Sequence, residues 1–229
     1  MCNQGGQIKA LADAPQGPLV IYCPSLSQEV KGAIDFAAAA AGLADSLADR
    51  VEFRMRRVRQ PGGTMPDVER AIDTAQAAGV TVIDGELTDD RFAELLSEAD
   101  IVVVPYRSSS FRTRTSAAVI DAIRAGKPVV AADGTWGAAI VDQSGAGVPF
   151  RSGDVDDLTR AITEAVNRYP SLRERALDAA PAAQQRFSMG ALVELISAHD
   201  PQPSSRGHAD LKRLADLEDV LMAHVEGKA

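Results

Sequence analysis

The most constraining stretch of the chain runs from Ala99 to Ala132, ADIVVVPYRSSSFRTRTSAAVIDAIRAGKPVVAA. Ile101 to Val104 is an unbroken β-branched run, the composition of a strand buried on both faces of a parallel sheet. Pro128 to Ala132 reads as a second short apolar strand. Between them a Ser/Arg loop, Pro105 to Thr113, leads to Ala118, Val119, Ala122 and Ile123 at helical spacing, with Thr113 or Thr115 as cap and Gly126 as stop. Parallel neighbours need a crossover, so strand, helix and strand form one unit. In such sheets ligands sit beyond the carboxyl ends of the strands, where this loop and the helix N-terminus lie.

The same alternation fills the rest of the chain. Leu19 to Cys23 reads as a strand, and Val30 or Lys31 opens an Ala-rich helix running to about Leu47. Val51, Phe53 and Met55 alternate with Glu52, Arg54 and Arg56, a strand pattern ending in Arg56-Arg57-Val58-Arg59; beside the Gln60-Pro61-Gly62-Gly63 turn this basic end suits a phosphate contact, but it reads first as a solvated charge run. Asp67–Ala78 is expected to be a helix, Val80–Ile83 a strand and Thr88–Ala99 a helix capped by Thr88. After a turn at Asp133-Gly134 come a helix over Trp136–Asp142 and a strand near Val148–Phe150. Two helices follow, over 154–168 and 171–186, broken by Pro170 and Pro181. The expected class is α/β, a doubly wound parallel sheet with an added C-terminal amphipathic helix. Residues 1–17 read as a flexible leader, 18–199 as the α/β domain and 200–207 as a Pro/Ser linker. In 208–229, Leu211, Leu214, Leu217, Leu221 and Val225 form one apolar stripe; a lone helix of this kind is marginal, so it should dock on something.

Charge and composition remove several function classes. A net charge of −8 over 229 residues argues against a nucleic-acid or anionic-membrane surface. No apolar run approaches the roughly 18 residues of a spanning helix, and nothing in residues 1–17 suits a signal peptide, so a cytoplasmic location is expected. Cys2 and Cys23 are too few for a disulfide scaffold. His199, His208 and His224 are scattered, and no metal spacing, P-loop or nucleophile elbow is present.

Asp121-Ala122-Ile123-Arg124-Ala125-Gly126-Lys127-Pro128-Val129-Val130, preceded by Ala99-Asp100 and Pro105, resembles the EAMAxGKPVV block of group 1 (family 4 type) glycosyltransferases. Asp133 to Trp136, Ile140-Val141, Gly145 to Val148 and Gly153-Asp154 stand in that family's order, so the resemblance covers roughly Pro18 to Ile196. It implies the C-terminal, nucleotide-sugar-binding domain of the GT-B fold, a single Rossmann-like half. In the family the loop after the first strand carries Gly-Arg and then Lys-Gly, whose Arg and Lys reach the donor diphosphate. Lys31-Gly32 matches; Pro24-Ser25 does not, which removes a bidentate phosphate donor.

Of the family's two glutamates eight residues apart, Asp121 occupies the second position, tied to the donor ribose. Thr113 occupies the first, which faces the sugar, without a carboxylate. Arg114-Thr115-Ser116 matches a subgroup with Arg-x-Ser before the helix. The donor-binding set implied by the resemblance is Lys31, Arg112, Thr113, Arg114, Thr115, Ser116 and Asp121, with no catalytic residue assigned and neither metal nor cofactor beyond the donor sugar nucleotide. A helix N-terminus with an Arg fork suits a diphosphate physically. The family's acceptor domain has no room in residues 1–17, so transfer is expected to need a further N-terminal domain or a partner. The tail helix would meet an acceptor-domain protein or a second copy of the chain. The alternative is a catalytically inactive nucleotide-binding or protein-interaction module reusing the fold.

Overall fold

The computed structural model describes residues 17–24, 28–58, 65–188, 190, 191 and 193. Its strands are β1 (Leu19–Cys23), β2 (Val51–Arg57), β3 (Thr81–Asp84), β4 (Ile101–Val104), β5 (Val129–Ala132) and β6 (Gly147–Phe150). They alternate with α1 (Ala33–Ala44), α2 (Pro66–Ala77), α3 (Asp89–Glu98), the short α4 (Ser108–Phe111), α5 (Ala117–Arg124) and α6 (Trp136–Ser144); α7 (Val155–Asn167) and α8 (Tyr169–Arg186) follow. All pairings are parallel, in the order β3-β2-β1-β4-β5-β6, the doubly wound sheet expected. The order reverses between β1 and β4, so the loops leaving them diverge and open a crevice at the carboxyl edge.

Helices cover both faces. Ile21, Phe53, Val103 and Phe150 pack with Phe36, Ile72, Leu158 and Ile162 on one side; Tyr22, Val102 and Val104 pack with Leu95, Val119, Ile123 and Val141 on the other. Every residue of β4 and β5 is therefore buried, which is why these strands read as continuous apolar runs. Asp100 locks the edge opposite the crevice: its carboxylate accepts from Val20 N at 2.9 Å and from Tyr169 OH at 2.7 Å. That part of the family-like block is structural.

Four local expectations are corrected. The first helix begins at Ala33, because Glu29–Lys31 is a 3₁₀ turn and Gly32, at φ 71°, turns the chain left-handed before α1. The 105–113 loop holds α4, and α5 is capped not by Thr113 or Thr115 but by Ser116, whose Oγ accepts from Val119 N at 3.3 Å. Pro181 does not break α8: Leu172, Ala176, Ala180 and Ala183 are buried along that helix, and their packing outweighs one lost backbone bond. Arg57 is no solvated charge; it is 11% exposed and pairs with Asp73 at 2.7 Å, with Glu69 and Asp84 at 3.7 Å.

The described residues up to 187 belong to one compact unit and those from Ser188 onward to a second. In the second, Gly190, Ala191 and Val193 are helical and Ser188 Oγ accepts from Ala191 N at 3.0 Å. The leader up to residue 16, the linker 200–207 and the helix expected over 208–229 lie outside the described residues.

The start of α7 carries one pH-dependent prop. Asp157 accepts from Arg160 Nε at 2.6 Å and Arg151 N at 2.7 Å, and these bonds, the Arg160 one foremost, lower its pKa to about 2. A depressed carboxylate stabilises the fold above its unfolded pKa, and that gain vanishes as pH falls through the folded value. Asp157→Asn is therefore expected to be less stable than the parent near neutral pH and equal to it near pH 2, as read by urea unfolding.

Candidate functional site

The crevice is built from the loops after β1 and β4, with the end of β2 beside them. Gly32 presses the turn carrying Lys31 onto the loop after β4: a Cβ at residue 32 would stand 2.0 Å from the Pro105 carbonyl oxygen. Arg107 N donates to Val30 O at 2.9 Å, closing the same contact. The Lys31 ammonium consequently lies 5.8 Å from the Tyr106 ring centroid. Phe111, held by α4, tilts against Tyr106 at 4.3 Å, and the Arg114 guanidinium sits 4.9 Å from the Phe111 ring. Two cations thus bracket an aromatic pair.

The electrostatics follow from that packing. Burial holds the Lys31 pKa below the ordinary lysine value, and the like charges of Arg114 and Arg56 push it further down. Arg56, at the end of β2, is also shifted down by burial, with Tyr22, Glu86 and Tyr106 partly offsetting. Burial therefore opposes the charges of Lys31 and Arg56, and Lys31 alone is also repelled, by the exposed Arg114 and by Arg56. An anion relieves both terms, so the arrangement is suited to a phosphate-bearing ligand. The Tyr22 phenol, buried on the same face of the sheet, is pushed up in pKa by burial, and its hydroxyl has no hydrogen-bond partner among the described residues.

The residues singled out from the sequence divide accordingly. Lys31 stands in the crevice rather than in solvent. Arg112, Thr113, Arg114 and Thr115 are all exposed on the segment between α4 and α5, and of these Arg114 acts on Lys31 through charge. Ser116 is buried, its hydroxyl capping α5, and Asp121 lies further along that helix, 3.9 Å from Arg124. Arg56, Tyr106 and Phe111 stand outside the donor-binding set expected from the sequence, although the basic strand end that carries Arg56 reads there as suited to a phosphate contact. The strand alternation that set Arg56 opposite Met55 was the available signal, but alternation alone does not tell a crevice from solvent.

A cavity of about 390 Å³ lies over β5 and β6, lined by Ala131, Asp133, Thr135, Ala138, Val141 and Pro149 among others. No lysine, arginine or histidine lines it, in contrast to the crevice. Among the described residues no cluster of three His, Cys, Asp or Glu could hold a metal ion, and no helix is long and apolar enough to cross a membrane.

The family model for glycosyl transferases group 1 matches residues 17–168. No curated protein sequence matches. Among solved structures, sucrose-phosphate synthase from Thermosynechococcus elongatus is 21% identical over 80% of this chain and 46% of its own, with a TM-score of 0.57. Anabaena Alr3699/HepE in complex with UDP-glucose is 19% identical over 79% of this chain and 48% of its own, at 0.61. The catalytic domain of cholesterol-α-glucosyltransferase from Helicobacter pylori is 18% identical over 74% of this chain and 99% of its own, at 0.56. The chain thus spans about half the length of the first two, and at these identities the likeness is one of fold. Because the family match takes in the β1 and β4 loops, the cation cluster and the α5 block together, the chain belongs to the group 1 glycosyltransferases, of whose GT-B fold it forms a Rossmann-like half.

Proposed function

We propose that this chain binds the nucleoside-diphosphate sugar of a glycosyltransferase in the crevice between β1 and β4, and that transfer requires a further acceptor-binding domain or partner. The observation that carries the reading is Lys31, whose charge is desolvated against Tyr106 and set beside Arg114 and Arg56. In this reading Lys31 and Arg114 hold the diphosphate, and the N-terminus of α5 adds backbone N–H groups and partial positive charge. Arg112, Thr113, Thr115 and Ser116 border the ligand, and Asp121 lies toward the ribose. When the bond from sugar to diphosphate breaks, negative charge grows on the leaving phosphate, which Lys31, Arg56 and Arg114 stabilise without reorganising. These cations supply the positive charge, so the reading includes neither a metal nor a cofactor. It sets the chain in the cytoplasm, with the tail 208–229 meeting the acceptor-domain partner or a second copy. The UDP-glucose complex of Alr3699/HepE supports the ligand class.

Titration calorimetry with UDP, GDP, ADP and dTDP tests the reading, and binding of none of them refutes it. Only protonated Lys31 attracts the diphosphate, so affinity should fall as pH rises through the lowered Lys31 pKa, and Lys31→Arg should flatten that profile. Thr113, which lacks the sugar-facing carboxylate, favours a second reading, a catalytically inactive nucleotide-binding or interaction module. Both readings expect this chain alone to glycosylate no acceptor. Radiolabelled donor transferred when an acceptor-domain partner is added would exclude the second.

A further inference from the structure

Arg107 and its neighbour Ser108 gather four of the loops at the carboxyl edge of the sheet. Arg107 donates from its backbone N to Val30 O, after β1, at 2.9 Å, and its carbonyl accepts from Ser110 N and Phe111 N at 3.0 Å to start α4. Its Nη2 donates to Asp35 Oδ1, in the first turn of α1, at 2.9 Å. Its Nη1 fills the space a side chain at Gly153 would need, a Cβ there standing 2.1 Å away, in the loop after β6. Next to it Ser108 N donates to Ser152 Oγ at 2.9 Å, and a Cβ at Gly134, after β5, would stand 3.4 Å from the Ser108 Cβ.

Stability does not account for the ion pair at the centre of this junction. Asp35 is 4% exposed, and its Oδ2 has no hydrogen-bond partner among the described residues. Burial raises the Asp35 pKa despite the opposing pull of Arg107, so at neutral pH the fold holds this carboxylate at a net disadvantage. What the pair does supply is geometry. Arg107 follows Tyr106, the ring under Lys31, and starts the helix whose Phe111 carries Arg114; Asp35 sits one turn beyond Lys31.

We propose that Arg107 and Asp35 form a positioning clamp that holds the Lys31 turn against the loop after β4 and so sets the spacing between Lys31 and Arg114 that a diphosphate bridges. Arg107 is a positioning residue and acts on the ligand through Lys31. The ligand half of this claim rests on the donor-binding reading above; the clamp itself does not.

The test removes the pair without stranding a buried charge, using Asp35→Asn with Arg107→Met in the full chain. NMR of lysine Nζ and Cε follows Lys31, which faces Arg114, Arg56 and Tyr106, against Lys127, a lysine shifted down by burial whose Nζ donates to Ser97 O at 2.8 Å. The expected result is that Lys31 moves up toward the ordinary lysine value while Lys127 stays low. An unchanged Lys31 overturns the clamp. In parallel, UDP affinity should fall about tenfold in the double variant and less than about twofold when Lys31 is already alanine, as for coupled neighbours. Equal losses in both backgrounds overturn the claim that Arg107 acts through Lys31. If the parent binds another of the four diphosphates instead of UDP, that one is used for the affinity arm; if it binds none of them, the donor reading fails and the lysine titration still decides the clamp. If the double variant does not fold, Arg107→Lys decides by the same titration: it keeps the charge on Asp35 but loses the fork, so Lys31 should move only part of the way, and a Lys31 that does not move overturns the clamp.

Discussion

Replacing Lys31 and Arg114 together by alanine is expected to weaken nucleoside-diphosphate binding by on the order of a hundredfold to ten-thousandfold, since each charged hydrogen bond is worth roughly 1.5–3 kcal/mol. The free chain should be no less stable for it. Lys31 is desolvated and repelled by Arg114 and Arg56, so removing its charge relieves the unliganded fold. The pair of outcomes is diagnostic: calorimetry reads the lost affinity and thermal unfolding reads the unchanged or raised stability. A loss below about fivefold would take both residues out of the site. Raised salt should weaken parent binding and narrow its gap to the variant, because the contacts removed are charge contacts near the surface.

Gly32→Ala should be the most damaging single substitution near the crevice, by roughly 2–5 kcal/mol from overpacking and left-handed strain together. The added Cβ would stand 2.0 Å from the Pro105 carbonyl oxygen and 2.8 Å from its carbonyl carbon, at a φ of 71°. Backbone cannot swing aside as a side chain does, so either the Lys31 turn or the loop after β4 must shift, and nucleotide affinity should be lost along with stability. Gly42→Ala is the control. Residue 42 lies within α1 with nothing within 4 Å of an added Cβ, and alanine there is expected to stabilise by roughly 0.5–1 kcal/mol. Denaturant melts of the two variants check the contrast, and equal stabilities would show that Gly32 does not make the close approach to Pro105.

The fold was legible where burial writes itself into short runs. Ile101 to Val104 and Val129 to Ala132 are apolar throughout because helices cover both faces of β4 and β5, and the alternation in Val51 to Met55 marks a strand with one polar face. The caps were less legible. Thr113, Thr115 and Ser116 are all competent caps by chemistry, and the choice of Ser116 depends on α4, which takes up chain before α5 begins. Pro181 shows the same limit from the other side, since a local helix breaker was overridden by the buried face of α8.

The site divides in the same way. By itself the sequence determined the class of fold, the parallel sheet, the family block from Asp121 to Val130 and the two departures at Pro24-Ser25 and Thr113, because periodicity and motif spacing act over a few residues. It did not determine which of its many arginines matter. Arg56 and Arg57 are neighbours on β2, yet opposite sides of the strand give one to the cation cluster and the other to Glu69, Asp73 and Asp84. Lys31 is placed toward the donor by the resemblance alone, and its desolvation emerges only when Gly32 presses its turn against Pro105 and Tyr106 comes beneath it. Only the tertiary structure decided these points, since desolvation and charge repulsion depend on distances through space between residues that the chain holds far apart.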